Sequence, residues 1–178
     1  MILHLGDPRL RWPCKEVTDA RSADVRALGA HLFETLAELR TRHGFGRALA
    51  APQVGRRIAV VAYDLGAGPR LMINPKITAQ SEATFTLWDD CYSFPDLLVR
   101  VRRARSISLD YVDASGRHQS WKDLGEAESE LFQHELDHLE GVLAIDRLVD
   151  ADSVVTREEF ARERERLLAS VDHRAAHL

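Results

Sequence analysis

The chain has 178 residues, a formal net charge of −4, 45% hydrophobic and 29% charged residues, ordinary values for one globular domain able to bury a core of its own. Net acidity argues against a broad nucleic-acid-binding face, and no apolar run is long enough to cross a bilayer, so neither a stable nucleic-acid complex nor a membrane span is expected. Met1-Ile2-Leu3-His4-Leu5-Gly6-Asp7 lacks the basic start and sustained apolar stretch of a secretory signal, which makes the cytoplasm the expected location; the only two cysteines, Cys14 and Cys91, need not pair there.

Val25, Leu28, Leu32, Leu36 and Leu39 recur at helical steps and predict an amphipathic helix over 25–39, capped by Ser22 or Asp24. Gly44, Gly46, Pro52 and Gly55 then predict a shaped loop from His43 to Gly55, followed by strands at Ile58–Tyr63 and Leu71–Asn74. Short β-prone runs fill 83–113, and Asp113-Ala114-Ser115-Gly116 is placed as the turn of a hairpin between Ile107–Val112 and a segment ending at Trp121. Within these runs Arg100 and Arg102 should face one way, Arg103 and Arg105 the other. Helical spacing returns over Gly125 to Leu139, with Glu126 and Glu128 in the first turn and Gly141 as the stop. A last helix is predicted from Thr156, with Thr156 and Glu159 as a capping box and Phe160, Leu167, Leu168 and Val171 as its apolar stripe. This order predicts an α+β fold in which a central helix packs against antiparallel sheets, with further helices at both ends.

The central helix carries His134-Glu135-Leu136-Asp137-His138. Two histidines four residues apart lie one turn apart on one face, so both rings can reach one metal ion, and Glu135 can bend toward an open position to move protons. A catalytic centre of this kind needs a third protein ligand. Cys91, Cys14 and the remaining histidines are the candidates. Ala144 stands where a metzincin would have its third histidine, and Cys91, in the turn-like Asp89-Asp90-Cys91-Tyr92-Ser93-Phe94-Pro95, is the better choice. Cys14 reads as a small buried hydrophobe, and His4, His173 and His177 as surface residues.

Three segments in order, Gly46-Arg47-Ala48-Leu49-Ala50-Ala51-Pro52-Gln53, Asp89-Asp90-Cys91-Tyr92-Ser93 and Gln133-His134-Glu135-Leu136-Asp137-His138-Leu139, resemble the motifs of the peptide deformylase family. Asp7-Pro8-Arg9-Leu10-Arg11, Ile73-Asn74-Pro75 and Gly141-Val142-Leu143 extend the resemblance over roughly residues 1–150, implying a catalytic domain there and a C-terminal helical extension of the same domain over 151–178. The resemblance implies a peptide-deformylase-like fold and a hydrolase that removes the formyl group of N-formylmethionyl peptides. It implies one divalent ion, Fe(II) with Zn, Ni or Co as substitutes, held by Cys91, His134 and His138. Glu135 would shuttle the proton, Gln53 and the backbone N–H of Tyr92 would face the developing oxyanion, and Arg103 would pair with Asp89. It also implies a ribosome contact for the charged C-terminal helix.

The departures define the alternatives. Family members usually have an apolar residue and a glycine where this chain has Arg47 and Ala48, and Glu-Gly-Cys-Leu where it has Asp89-Asp90-Cys91-Tyr92. A positive φ at position 90 would strain an aspartate. Helical steps put Ala127, Glu130 and Leu131 beside His134, so the substrate side would be lined by Gly46, Arg47, Ala48, Asp89, Glu130 and Leu131. Arg47 and Glu130 either pair in the pocket or extend to solvent and leave it apolar. A formyl-amide hydrolase for a more polar substrate is thus the alternative function, and a non-catalytic deformylase-like binding protein a third; retention of Cys91, His134, Glu135, His138 and Gln53 favours an enzyme.

Overall fold

The computed structural model describes residues 1–175 and 178, so the expectation for His177 lies outside the described residues. Helix α1 (Ala23–His43) starts at Ser22, whose hydroxyl accepts from Val25 N at 3.3 Å, and ends at Gly44 in the left-handed region. The expected loop after it contains a short strand, β1 (Ala48–Ala50), and a 3₁₀ turn at Ala51–Val54, because Ala48-Leu49-Ala50 has a sheet partner in β2 (Val60–Tyr63) that local glycine content does not reveal. Strand β3 runs from Arg70 to Gln80, well past Asn74. A register shift between Ile73 and Lys76 lets it pass Pro75, which has no N–H to offer, and Asn74 there has φ 51° and exchanges two 2.8 Å hydrogen bonds with the Val17 backbone.

Strands β4 (Thr84–Asp90), β5 (Leu97–Ala104), β6 (Ile107–Val112) and β7 (His118–Leu124) are antiparallel runs, and β6 and β7 form the expected hairpin. Helix α2 (Glu126–Glu140) stops at Gly141, φ 77°. Two sheets result, ordered β1-β2-β3-β6-β7 and β4-β5-β8, the last strand being Val154–Thr156.

Period-two alternation explains how α2 becomes central. Leu49, Val60, Ala62, Leu71 and Ile73 point to one face of the five-stranded sheet, where Val25, Leu28, Leu32 and Leu36 of α1 cover them. Ala48, Ala50, Val61, Tyr63, Met72 and Leu109 point to the other, against Leu131, Phe132, Leu136 and Leu139 of α2. Burying each such large side chain contributes about 1.5–3 kcal/mol. Gln133 ties the same helix to the second sheet, donating to Ala104 O at 3.0 Å and accepting from Ala104 N at 2.9 Å.

The C-terminal segment departs from expectation. It opens with β8, paired to β5, and its helix is two short pieces, α3 (Arg157–Arg162) and α4 (Arg164–Leu168), divided at Glu163 with φ −108° and ψ 22°. The break brings Phe160, Leu167 and Leu168 together onto Trp88 and Leu98, and Trp88 Nε1 donates to Leu167 O at 2.9 Å. Thr156 caps α3 by accepting from Glu159 N at 3.0 Å. Among the described residues no helix is long and apolar enough to cross a membrane.

Candidate active site

Strand β4 and the turn after it bring Asp89, Asp90, Cys91 and Tyr92 to one wall of a narrow cleft, and α2 forms the facing wall with Glu130, Leu131, His134 and Glu135. Gly46, Arg47, Ala48 and Gln53 complete it, so all expected substrate-side residues share one cavity, whereas Ala127 lines an adjoining one. His138 lies one turn beyond His134.

One ligand atom each from Cys91, His134 and His138 lie within 4.8 Å of one another, and all three residues are buried. Cys91 Sγ is 3.3 Å from His138 Nε2. Gln53 Nε2 and Ser93 N point at the same sulfur from 3.5 and 3.4 Å and hold it toward the histidines. His134 turns its Nδ1 to Asp89 Oδ2 at 2.9 Å, which aims the other ring nitrogen at the cluster. A buried thiol and two imidazoles converging in this way fit a divalent ion of borderline softness.

Burial and the neighbouring His134 lower the pKa of His138 well below the ordinary value, keeping its imidazole in the neutral, ligating form. At His134 burial opposes charge, but the Asp89 carboxylate more than offsets it and the pKa is raised. Glu135 is 4% exposed and its Oε2 has no hydrogen-bond partner among the described residues. Burial pushes its carboxyl up to about 7, with His134 pulling it back, which suits a group that accepts and releases a proton near neutrality.

Asp89 is itself held. Arg103 reaches it through Nη2 at 3.4 Å and donates through Nη1 to Asp137, which also receives Arg147 Nη2 at 2.7 Å. The expected Arg103–Asp89 pair is therefore one link of a chain from Arg147 to His134. Asp137 is a residue the sequence argument passed over, although an arginine at an inward position of β5 was a signal that a buried acid must meet it.

The charged departures have partners as well. Arg47 and Glu130 form an ion pair, so they do not extend separately to solvent. Burial pushes the Glu130 carboxyl up to about 7, against the pull of Arg47. Asp90 belongs to β4 and is not among the non-glycine residues with positive φ, so the condition for strain is not met; its carboxylate takes Arg157 Nη2 at 2.9 Å. Arg157 also lies over the Phe45 ring at 4.4 Å, and Tyr92 stacks on the same ring with centroids 5.1 Å apart. Trp88, Leu87 and Ala175 line the cleft too and had no distinguishing local pattern. Cys14 is half-buried against the α2 side of the five-stranded sheet and far from any ligand role in this cluster.

A buried thiol and two imidazoles on and beside a helix held between antiparallel sheets, with an isolated carboxylate next to them, define the class of mononuclear metallohydrolases. A family model described as polypeptide deformylase matches residues 1–154. The peptide deformylase of Thermotoga neapolitana is 36% identical over 155 residues, covering 87% of this chain and 90% of the relative, and peptide deformylase 1 of Vibrio vulnificus is 41% identical over 150 residues, covering 83% and 84%. The crystal structure of the Thermotoga maritima peptide deformylase superposes with a TM-score of 0.75 at 35% identity, covering 84% of this chain and 97% of that one. That of the Synechococcus elongatus enzyme in complex with actinonin gives 0.77 at 29% identity, covering 94% and 85%. The chain belongs to the peptide deformylase family, metal-dependent hydrolases that act on formyl-methionyl peptides.

Proposed function

We propose that Cys91, His134 and His138 hold one Fe(II) ion and that the cleft they face hydrolyses the formyl amide of N-formyl peptides. The bound ion supplies Lewis-acid activation of water and of the formyl carbonyl, a role that zinc, nickel or cobalt also fulfils. Glu135 takes a proton from the attacking water and delivers it to the leaving nitrogen; a C–O bond forms, the C–N bond breaks, and formate and a free amine leave. Gln53 Nε2 and the Tyr92 backbone N–H donate to the carbonyl oxygen as it gains charge. The Tyr92 ring takes no part, since its hydroxyl donates to Phe45 O. The observation that carries this reading is the buried Glu135, whose Oε2 has no hydrogen-bond partner among the described residues and which lines the same cleft as Cys91 and His134.

Residues 1–150 would then be the catalytic domain and 151–178 an integral extension of it, an assignment supported by the β5–β8 pairing and by Arg157 on Asp90. The reaction would take place in the cytoplasm on chains leaving the ribosome, with the exposed Arg162, Arg164 and Arg166 as the contact surface. Formate release from formyl-Met-Ala-Ser by protein loaded separately with Fe(II), Co(II), Ni(II) or Zn(II) tests the chemistry. Release with Fe(II) is expected; no formate with any metal would sink it.

A further inference from the structure

Strand β4 is the outer strand of the three-stranded sheet, and the chain beyond α4 returns to occupy its free edge at Thr86. Asp172 N and His173 N donate to Thr86 O at 3.1 and 3.0 Å, and the Asp172 carboxylate accepts from Thr86 N and Oγ1, both at 2.9 Å. His173 is held from the facing side as well: its Nδ1 lies 2.9 Å from Glu126 Oε2 of α2, and its ring meets Phe85 with centroids 5.3 Å apart. These two residues fasten the segment to β4 and to α2, the elements that form the two walls of the cleft. Two positions later Ala175, 8% exposed, lines that cleft with Leu87, Trp88 and Leu131.

Phe45, Gly46, Arg47, Glu130 and Ala175 line both the metal-side cleft and a neighbouring cavity that continues toward Arg40 and Ala127. Along α2, Glu130 lies about 6 Å from His134 and Ala127 about 10 Å, at the helical rise per residue. Ala175 therefore stands at the boundary about one helical turn from the metal ligands, where a substrate side chain entering from the metal side would end. The other boundary residues fall within the stretch 1–154 that the family model matches, and Ala175 falls outside it.

We infer that Ala175 sets the depth of the pocket that takes the methionine side chain, and that Asp172 and His173 position it. The apolar lining of Leu87, Trp88, Leu131 and Ala175 accepts a thioether, and the fastened segment stops a longer side chain by overpacking. This rests on the deformylase reading above and adds the residue that limits side-chain length.

The test uses formyl-Xaa-Ala-Ser with Xaa as norvaline, methionine, norleucine or 2-aminooctanoate, in two readouts: kcat/KM for formate release by the metal-loaded enzyme, and calorimetric binding to the metal-loaded Glu135→Gln protein. In both, the methionyl and norleucyl peptides should exceed the 2-aminooctanoyl peptide by about tenfold or more. Ala175→Leu, which fills the end of the pocket, should drop the methionyl peptide below the norvalyl one. Asp172→Ala/His173→Ala, which frees the wall, should bring the 2-aminooctanoyl peptide within about threefold of the methionyl one. A merely structural role for the segment would lower all four peptides by one factor and leave their ratios unchanged. Equal handling of methionyl and 2-aminooctanoyl peptides by the unmodified protein, unchanged ratios in either variant, or binding of no peptide overturns the inference. Absence of formate from every peptide condemns the deformylase reading alone, because the binding order still decides the length limit.

Discussion

The phenol of Tyr92 occupies the space that a side chain at Gly46 would need: a Cβ built there lies 1.8 Å from the Tyr92 hydroxyl oxygen, and Gly46 has φ +99°. The tyrosine that departs from the family pattern and the first glycine of the first motif thus constrain one another. Gly46→Ala should cost about 2–4 kcal/mol, from overpacking and from the left-handed backbone. Adding Tyr92→Leu should recover the overpacking part and leave the backbone part. Urea unfolding of the two single variants and the double measures the coupling; additive losses would show that the contact is not what limits position 46.

Arg103, 4% exposed, stands between Asp89 and Asp137. Arg103→Met removes the cation from two buried carboxylates and should destabilise the protein by about 3–5 kcal/mol, far more than loss of the exposed Lys76–Glu16 pair, which solvent screens. Because Asp89 orients His134, the same variant should weaken metal affinity about tenfold or more. Unchanged metal affinity would separate the ion-pair chain from the site.

Burial pushes the Cys14 thiol up to about 11, with Arg57 opposing. In the metal-loaded folded protein, alkylation of Cys14 should be slow at pH 8 and accelerate toward pH 11, whereas the unfolded chain should react as an ordinary thiol of pKa about 8.5. The folded state holds this proton more tightly than the unfolded state. Its contribution to stability is therefore complete below the ordinary thiol value and is lost as pH rises from there toward about 11. Rapid alkylation at pH 8 would contradict the burial.

The C-terminal segment should behave as part of the core. A chain ending at residue 150 exposes Trp88 and Leu98 and leaves β5 without β8. It should be unfolded or insoluble, and the milder Leu167→Ala should cost about 2–5 kcal/mol. A truncated chain with native thermal stability would make residues 151–178 an appendage.

The metal cluster was the most legible feature, because a four-residue histidine spacing has one geometric meaning on a helix. The stripe Val25 to Leu39 and the stop at Gly141 were equally local signals and both stand. What escaped was non-local. Ala48-Leu49-Ala50 becomes a strand only through its pairing with Val61 to Tyr63, and the final helix divides at Glu163 because Trp88, 75 positions earlier, draws Leu167 toward it. The Arg157–Asp90 and Arg147–Asp137 pairs join residues that no periodicity relates. At Asp90 the condition for strain, a positive φ, is not met: the backbone there is an ordinary strand, a conformation set by pairing with β5 that local sequence does not reveal.

The most direct test of the account is Glu135→Gln, assayed for both metal content and formate release. One metal equivalent is expected, as in the unmodified protein, with formate release from N-formyl peptides reduced by at least about a hundredfold, since the amide cannot carry the proton. Formate release within a few-fold of the unmodified enzyme would contradict it.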